Sequence, residues 1–306
     1  MRSPRSISRG FTLVELLVVL IIIAILGSVI MFAMFSAQEA ARAAKTKSTV
    51  SKLNALVMQR YESYINRRVP IPSPLNANDR ATFQFRRLQA LRELMRMEMP
   101  DRWTDVRDNP VTGIQRPAVN RTYWRRVNAA KNGAGVNDGD TFQGAECLYL
   151  IIAHGTEDSD ALTHFSQSDI GDTDGDGLSE FLDGWGQPIG FIRWPAGFAS
   201  PRQSRDVSKE FDQFNAYRVI PDRPNPPANV PRQFALFPLI YSGGPDKTYG
   251  VLTGPLDGSP VHYSVAGNPA YVDPYLALGN NEQVGQPDIS GSAYTDNIHN
   301  HELSVR

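Results

Sequence analysis

The hydrophobic pattern at the start of the chain predicts one long helix. Residues 16–35 form a stretch of twenty residues without a charge, most of them apolar. At about 1.5 Å per residue, a helix of this length spans roughly the thickness of the hydrocarbon core of a bilayer. Beyond residue 36 the apolar positions recur every three or four residues, which places them on one helix face. These positions are Val50, Leu53, Val57, Tyr61 and Tyr64. We therefore expect a single helix over about residues 11–67, ended by the prolines that begin at Pro70.

The rest of the chain changes from helical to strand-like patterning. Apolar residues at helical spacing predict further helices around residues 79–99, 119–131 and 141–153. Short apolar runs separated by turn residues then predict strands at 188–194, 234–242 and 261–265. The predicted fold class is α+β, with a long N-terminal helix packed on a small antiparallel β-sheet, a helical insertion and long loops. The expected segments are a leader (1–10), a membrane-spanning half-helix (11–35), an amphipathic half-helix (36–68), a helical insertion (75–155) and a β-rich C-terminal domain (156–306).

The residues before the apolar stretch indicate its orientation in a membrane. Arg2, Arg5 and Arg9 precede it without any acidic residue, which favours a cytoplasmic N-terminus. An ordinary secretory signal peptide is the alternative. Its apolar stretch has about 7–15 residues and ends in small residues where it is cleaved. Here Gly27 and Ser28 are followed by further apolar residues as far as Phe35, which favours a retained membrane helix.

Composition and charge exclude several classes of protein. Lys and Arg number 31 against 32 Asp and Glu, so the net charge of −1 argues against a dedicated nucleic-acid binder. The one cysteine, Cys147, excludes an intrachain disulfide framework and is interpreted as a small buried hydrophobic residue. The histidines lack zinc-protease spacing, and His299 and His301 are interpreted as part of a solvated tail rather than a metal site.

The charges are unevenly distributed along the chain. Eleven arginines lie between Arg80 and Arg126, whereas twelve acids and no Lys or Arg lie between Asn132 and Ile192. A segment this acidic repels itself unless something cationic compensates it. The Arg-rich segment and a metal ion are the two candidates.

Residues 172–183, which we call the acidic loop, follow the twelve-position pattern of a calcium-binding loop. Calcium takes six to eight hard oxygen ligands, and a sharply turned acidic segment supplies them. Gly177 provides the turn, and the expected ligands are Asp172, Asp174, Asp176, the Leu178 carbonyl, Glu180 and Asp183. Asp183 stands where a longer glutamate is usual, so weaker binding is expected. An acidic turn that binds no metal is the alternative.

A single carboxylate, Glu15, interrupts the apolar sequence that begins at Leu13. A carboxylate in a membrane is costly unless it lies at the interface or meets a cation. The sequence from Arg9 to Leu17 resembles the processing signal of type IV prepilins and type II secretion pseudopilins. In this signal a short basic leader, a Gly-Phe pair, a glutamate and an apolar run coincide.

The resemblance implies how the chain is processed and where it resides. A prepilin peptidase would cut after Gly10 and methylate the new amine of Phe11, and Glu15 would neutralise the terminal amine of a neighbouring subunit. The chain would cross the bacterial inner membrane once, with its C-terminal domain periplasmic or extracellular in a filament. Its partners would be the peptidase, a secretion or pilus platform in the inner membrane, and further copies of the chain. The proline that interrupts the apolar run in many members is absent here.

Three short motifs later in the chain resemble the C-terminal domain of major pseudopilins. They are an Asp-Gly-Trp-Gly-Gln-Pro turn from Asp183, a Tyr-Ser-Gly-Gly-Pro-Asp segment from Tyr241, and an Asp-Asn-Ile sequence from Asp296. Those relatives hold calcium after the second of these elements, so the resemblance implies a second calcium site with Asp246 and Asp296 as ligands. Segment 75–182 has no counterpart in a compact pseudopilin.

The sequence thus predicts a structural subunit of a type II secretion pseudopilus or a type IV pilus-like filament, stabilised by calcium. The alternative is a minor pilin-like subunit whose insertion recognises a secreted substrate, a surface or DNA. An enzyme is not expected, because a loop saturated by protein ligands leaves no open coordination position for catalysis. The sequence leaves three questions open. They are whether the filament is a secretion pseudopilus or a pilus, whether the chain is a major or a minor subunit, and whether one or two calcium ions bind.

Overall fold

The computed structural model divides the chain into two compact units, Met1–Arg42 and Ala43–Arg306. The long helix α1, Leu13–Ser63, runs through the boundary between them. The structure describes residues 11–71, 80–111, 113–130, 141–156, 160–204, 211–216, 234–255, 258–265, 271–279, 282–288 and 294–303. The predicted leader, residues 1–10, lies outside this set.

Helix α1 confirms the prediction of one long N-terminal helix. A 3₁₀ turn at Tyr64–Asn66 continues it, close to the expected end at residue 67. In the first unit its apolar side chains are exposed, and it is long and apolar enough to cross a membrane. In the second unit the predicted apolar face is fully buried: Val50, Leu53, Val57, Tyr61 and Tyr64 are 0% exposed.

The helical insertion is also present. Its helices are α2 (Arg80–Glu98), α3 (Trp103–Arg107), α4 (Ala118–Ala129) and α5 (Gln143–Leu150), and a π-helical turn at Ile151–Gly155 extends α5. Two 3₁₀ turns follow, at Ala161–His164 and Gln167–Asp169. A last short helix, α6, spans Asn300–Leu303.

The strands are short and antiparallel. They are β1 (Ile170–Gly171), β2 (Glu180–Phe181), β3 (Gly190–Ile192), β4 (Leu239–Ser242), β5 (Ser264–Val265), β6 (Tyr271–Val272), β7 (Ala277–Gly279), β8 (Glu282–Gln283) and β9 (Ile298–His299). The central sheet has the order β3–β4–β9, in which Phe191 pairs with Ile240 and Ser242 with Ile298. Hairpins β1–β2, β5–β6 and β7–β8 accompany it. Each predicted apolar run contains a strand, and the fold is α+β.

One hydrophobic core joins the buried face of α1 to the insertion and the sheet. Its members include Leu91 and Met95 from α2, Leu148 from α5, and Ile240 from β4. Burying aliphatic and aromatic side chains of this size contributes about 1.5–3 kcal/mol each. The Tyr61 hydroxyl lies in the same core and donates to the Leu236 carbonyl at 2.8 Å.

Buried ion pairs hold several arginines of the insertion. Within the described residues, Arg96 pairs with Glu93 and Asp105, Arg102 with Asp101, and Arg92 with Asp212. Arg60 and Arg67, from α1 and the segment that follows it, pair with Glu98 of α2. The acidic segment receives a lysine instead, because Lys45 lies 2.7 Å from Asp169.

Candidate assembly signal and metal centre

The first turn of α1 joins Glu15 to Thr12. The backbone N–H and the hydroxyl of Thr12 both donate to Glu15 Oε2, each at 2.9 Å. The Glu15 N–H donates in return to Thr12 Oγ1 at 3.2 Å. This reciprocal arrangement satisfies two of the N–H groups that a helix start leaves without intrahelical partners. The positive end of the helix dipole also favours a carboxylate at this position.

The predicted cleavage position lies next to this turn. Phe11 is 82% exposed, whereas Gly10 lies outside the described residues. A cut after Gly10 would make Phe11 the first residue, about one helical turn before Glu15. The Glu15 side chain is itself exposed, so a cation from outside the chain has access to it.

The acidic loop begins where strands β1 and β2 separate, and Gly171 pairs with Glu180 across its base. Asp172 organises the turn: its Oδ1 accepts the Gly175 N–H at 2.8 Å, and its Oδ2 accepts the Gly177 N–H at 3.0 Å. Gly175 and Gly177 have φ values of 73° and 92°, which side chains with a Cβ rarely adopt. The two glycines therefore allow the chain to fold around its own carboxylates.

Two groups of carboxylates lie close enough to share a cation. Asp172, Asp174 and Glu180 form one group, in which the oxygens lie within 4.8 Å of one another. Asp174 and Asp176 form the second group with Glu146 of α5, at the same spacing. Calcium–oxygen distances of about 2.3–2.6 Å place two ligands of one ion at most roughly 5 Å apart, so both groups fit calcium geometrically.

The electrostatics of the loop reflect this crowding. Burial, together with the charges of Asp174, Asp172 and Asp176, raises the pKa of Glu180 to about 7. The Thr173 N–H donates to Glu180 Oε2 at 3.1 Å and opposes that rise. A bound divalent cation would favour the ionised form of every carboxylate in the loop.

The structure does not bring Asp183 together with the other loop carboxylates. Asp183 is buried, and its Oδ1 accepts the N–H groups of Trp185 and Gln187 at 2.8 and 2.9 Å. Its Oδ2 accepts the Ser242 hydroxyl at 2.7 Å. Asp183 thus ties the turn after β2 to strand β4. Leu178 is also buried, and its N–H donates to Asp176 Oδ1 at 2.7 Å.

Glu146 is the residue that sequence reasoning missed. It is 0% exposed and lies on α5, outside the acidic loop. Arg126, Glu146, His154, Asp172 and Asp176 together line one cavity between the insertion and the loop. Burial and then the Arg126 charge lower the pKa of His154, so this imidazole is neutral near pH 7. The only available sequence signal was an acid within the otherwise apolar helix 145–152.

The structure does bring the segments of Asp246 and Asp296 together. The Asp246 N–H faces Asp296 Oδ2 at 3.4 Å, and Asp246 Oδ1 accepts the Thr248 N–H at 2.8 Å. Gly244 permits the approach, because a Cβ there would lie 2.5 Å from the Asp296 carbonyl oxygen. Among the described residues, the groups of three metal-compatible carboxylates both include residues of the acidic loop, and neither contains Asp246 or Asp296.

Comparison with known protein families finds a match at the N-terminus. Residues 5–31 match the family described as the prokaryotic N-terminal methylation motif. Gly10, Phe11 and Glu15 all lie within the matched residues, so the chain carries the N-terminal signal of type IV pilin-like proteins. Neither the curated proteins nor the solved structures include a match to this chain.

Proposed function

We propose that the chain is a structural subunit of a type II secretion pseudopilus or a type IV pilus-like filament. The observation that carries the proposal is the N-terminal methylation motif at residues 5–31. The motif runs into helix α1, which exposes its apolar residues there and is long and apolar enough to cross a membrane. Apolar surface of this extent is stable in a bilayer or against the same surface of other copies. We propose a structural rather than an enzymatic role.

Processing and assembly follow in two steps. A prepilin peptidase hydrolyses the peptide bond between Gly10 and Phe11 and transfers a methyl group to the new amine. The carboxylate of Glu15, at the exposed start of α1, then pairs with the terminal amine of a neighbouring copy. This pairing compensates a charge that an apolar helix bundle otherwise tolerates poorly. The Thr12 contacts hold the Glu15 side chain at the helix start until that partner arrives.

The same features support a location in the bacterial inner membrane. The arginines before the apolar stretch retain the N-terminus in the cytoplasm, and the C-terminal domain faces the periplasm or, in a filament, the exterior. An inner-membrane secretion or pilus platform is the proposed assembly partner.

Intact-mass analysis and electron microscopy test this function. The mature chain should begin at a methylated Phe11 and should appear in filaments. Glu15→Gln should be processed like the wild type but assemble poorly, and Glu39→Gln, a second exposed acid on the same helix, is the matched control. A mature chain that retains Met1, or normal assembly of Glu15→Gln, would contradict the proposal.

We further propose that calcium binds the acidic loop. Asp172, Asp174, Asp176 and Glu180 supply hard oxygen ligands with compatible spacing, the Leu178 carbonyl contributes from the same loop, and Glu146 contributes from α5. Asp183 is outside this ligand set because its oxygens hold the neighbouring turn and Ser242. Calcium would connect the insertion to the C-terminal domain and so stabilise the folded state. Asp246 and Asp296 are the proposed second site.

Calorimetry of the full-length chain in detergent, with calcium and with magnesium, tests the metal proposal. At a calcium concentration 100 times the dissociation constant, binding stabilises a folded protein by about 2.7 kcal/mol. Asp174→Asn should abolish the part of this gain that the acidic loop contributes, since Asp174 belongs to both carboxylate groups of the loop. Asp246→Asn should remove only the part contributed by the second site. Equal melting temperatures with and without calcium would exclude both sites.

A minor, ligand-binding subunit is the second candidate function. It is favoured by the insertion, whose described residues form four α-helices between the N-terminal helix and the sheet along the chain. A minor subunit would be scarce in purified filaments, whereas a major subunit would be their main component. Quantitative proteomics of filaments separates the two.

A further inference from the structure

The outward side of helix α4 carries exposed charges beside an exposed aromatic ring. Arg121 and Arg125 are exposed, and Trp124 is 48% exposed. At 3.6 residues per turn the two arginines lie one turn apart, opposite the side of α4 that packs into the core. That core side is 0% exposed at Asn120, Tyr123 and Val127. We call Arg121, Trp124 and Arg125 the arginine face.

The arginine face lacks a compensating acid within the described part of the chain. Neither Arg121 nor Arg125 takes part in an ion pair there, whereas Arg92, Arg96 and Arg102 of the same insertion do. Like charges four residues apart on a helix destabilise it by about 0.2–0.5 kcal/mol. Trp and Arg are also the residue types most enriched where protein interfaces gain their binding energy. The combination therefore fits an acidic protein surface.

The acidic loop of the same chain offers that surface. Asp172 and Asp174 are exposed and lie in no ion pair with a described Lys or Arg. Five carboxylates and one calcium ion would leave a formal charge of −5 + 2 = −3 at the loop. The loop thus stays anionic after binding one cation.

Within one copy of the chain, the arginine face does not line the cavity at the acidic loop. Arg126, on another side of α4, is the arginine that lines the cavity with Asp172. Arg121 and Arg125 do not line that cavity. Two complementary surfaces at different places on one molecule form a heterologous contact between copies, which propagates into a ring or an open helical filament.

We propose that the arginine face of one copy docks on the calcium-loaded acidic loop of a second copy. This proposal rests on the proposed filament function and identifies a lateral contact between neighbouring copies in the filament. The contact is electrostatic, so it weakens as salt shortens the Debye length to about 3 Å at 1 M. Calcium holds the loop in one conformation and leaves enough negative charge for the arginines.

Cross-linking of full-length chains in their membranes tests the contact. One variant carries Arg125→Cys and the other Thr173→Cys, an exposed position between Asp172 and Asp174; both carry Cys147→Ala, which removes the native thiol. A short bis-maleimide should link the two variants when they are co-expressed, and 1 M salt before the reagent should reduce the yield. The matched control replaces Thr173→Cys with Glu62→Cys, an exposed position on α1, and should give no link.

Charge reversal provides the second measurement. Arg121→Glu with Arg125→Glu should yield a processed chain beginning at Phe11 but about tenfold fewer filaments, because attraction becomes repulsion. Lys47→Glu with Arg68→Glu makes the same change in net charge at other exposed positions and should assemble normally.

The outcomes separate this contact from the underlying function. If the wild-type chain forms filaments but the Arg125→Cys and Thr173→Cys variants give no cross-link, the contact is overturned and the filament function stands. Unprocessed wild-type chains without filaments would overturn the function itself. Normal assembly of the charge-reversed chain, together with loss of its binding to phosphatidylglycerol vesicles or to DNA, would show that the occupant is a lipid surface or a nucleic acid instead.

Discussion

The Ser242 hydroxyl donates to Asp183 Oδ2 at 2.7 Å across 59 residues of sequence. This hydrogen bond connects the turn that follows β2 to the end of β4. The same turn also contacts α1, because the Gly184 N–H donates to Thr46 Oγ1 at 2.8 Å. Asp183 therefore acts as a structural residue at the junction of the long helix and the sheet.

Replacing Asp183 should lower stability without removing calcium binding. Asp183→Ala leaves the N–H groups of Trp185 and Gln187 and the Ser242 hydroxyl without their acceptor, and each unsatisfied buried group costs about 1–3 kcal/mol. Chemical denaturation of the full-length chain in detergent measures the loss. The rise in melting temperature with calcium should remain, and its disappearance in this variant would return Asp183 to the ligand set.

Glu146→Gln should have the opposite effect to Asp183→Ala: it should weaken the stabilisation by calcium without lowering the stability of the calcium-free protein. Without calcium the variant should equal or exceed the wild type in stability, because it removes one of five crowded carboxylates. With calcium it should gain less stability than the wild type, since one ligand charge is gone. Calorimetry with and without calcium measures both effects.

Gln143, on the same helix as Glu146, supplies the control. Its Oε1 accepts the Trp103 N–H at 3.1 Å, so Gln143→Ala should lower stability equally with and without calcium. If Glu146 has only a structural role, Glu146→Gln should, like Gln143→Ala, change stability equally with and without calcium. One series of calorimetric scans distinguishes this result from the loss of calcium stabilisation expected here.

Local patterns predicted the longer helices and the strands β3, β4 and β5, but not the short helices α3 and α6 or the remaining strands. The spacing of Val50, Leu53 and Val57 predicted the buried face of α1, and short apolar runs between turn residues located β3 and β4. Both signals arise within about twenty residues of chain, the range over which helical and strand periodicity act. The acidic loop was recognisable for the same reason, because Asp172 and Gly177 belong to one turn.

Long-range contacts were not predictable from these patterns. Glu146 approaches the loop only through the packing of α5 against β2, and no local spacing encodes that packing. Asp183 fits position twelve of a calcium loop in sequence, but its backbone neighbours at Trp185 and Gln187 take its oxygens. His301 was interpreted as part of a solvated tail, which is wrong, since it is 0% exposed.

The burial of His301 predicts a loss of stability in acid. Burial, together with nearby His299 and Arg202, lowers its pKa to about 3, although the Pro238 carbonyl opposes this shift. Nε2 faces the Pro238 carbonyl at 3.2 Å and must donate, so Nδ1 accepts from the Ser200 hydroxyl at 2.8 Å. Both contacts suit the neutral imidazole.

The direction of the pH effect follows from comparing proton binding by His301 in the folded and the unfolded chain. Between the ordinary pKa of 6.5 and the lowered value, the unfolded chain binds a proton that the folded chain excludes. The free energy of unfolding should therefore fall by about 1.4 kcal/mol for each pH unit below 6.5 through this residue. Denaturation at pH 7.5 and pH 5 measures the fall, and His301→Gln, which retains a donor and an acceptor, should lose less. If the free energy of unfolding falls equally between pH 7.5 and pH 5 in the wild type and in His301→Gln, His301 is not the group responsible.

Among the described residues, Arg193 and Asp105 form a fully buried ion pair that joins the sheet region to the insertion. Arg193 Nη1 lies 2.9 Å from Asp105 Oδ2, and both side chains are essentially inaccessible to solvent. Burial raises the pKa of Asp105 to about 6, while Arg193 opposes the rise. Arg193→Met removes the cation and leaves the carboxylate buried, which should cost about 3–5 kcal/mol.

A second substitution separates the charge from the packing. Arg193→Met with Asp105→Asn removes both charges, so the double variant should be more stable than Arg193→Met alone. The Met99 carbonyl, which accepts from Arg193 Nη1 in the wild type, still lacks its donor in both variants. Recovery is therefore partial, and a double-mutant cycle by chemical denaturation should give a coupling energy of about 0.5–3 kcal/mol. Strict additivity of the two substitutions would mean that Arg193 stabilises the protein through its other contacts, with the Met99 carbonyl and with the Trp194 ring at 3.9 Å, rather than through the ion pair.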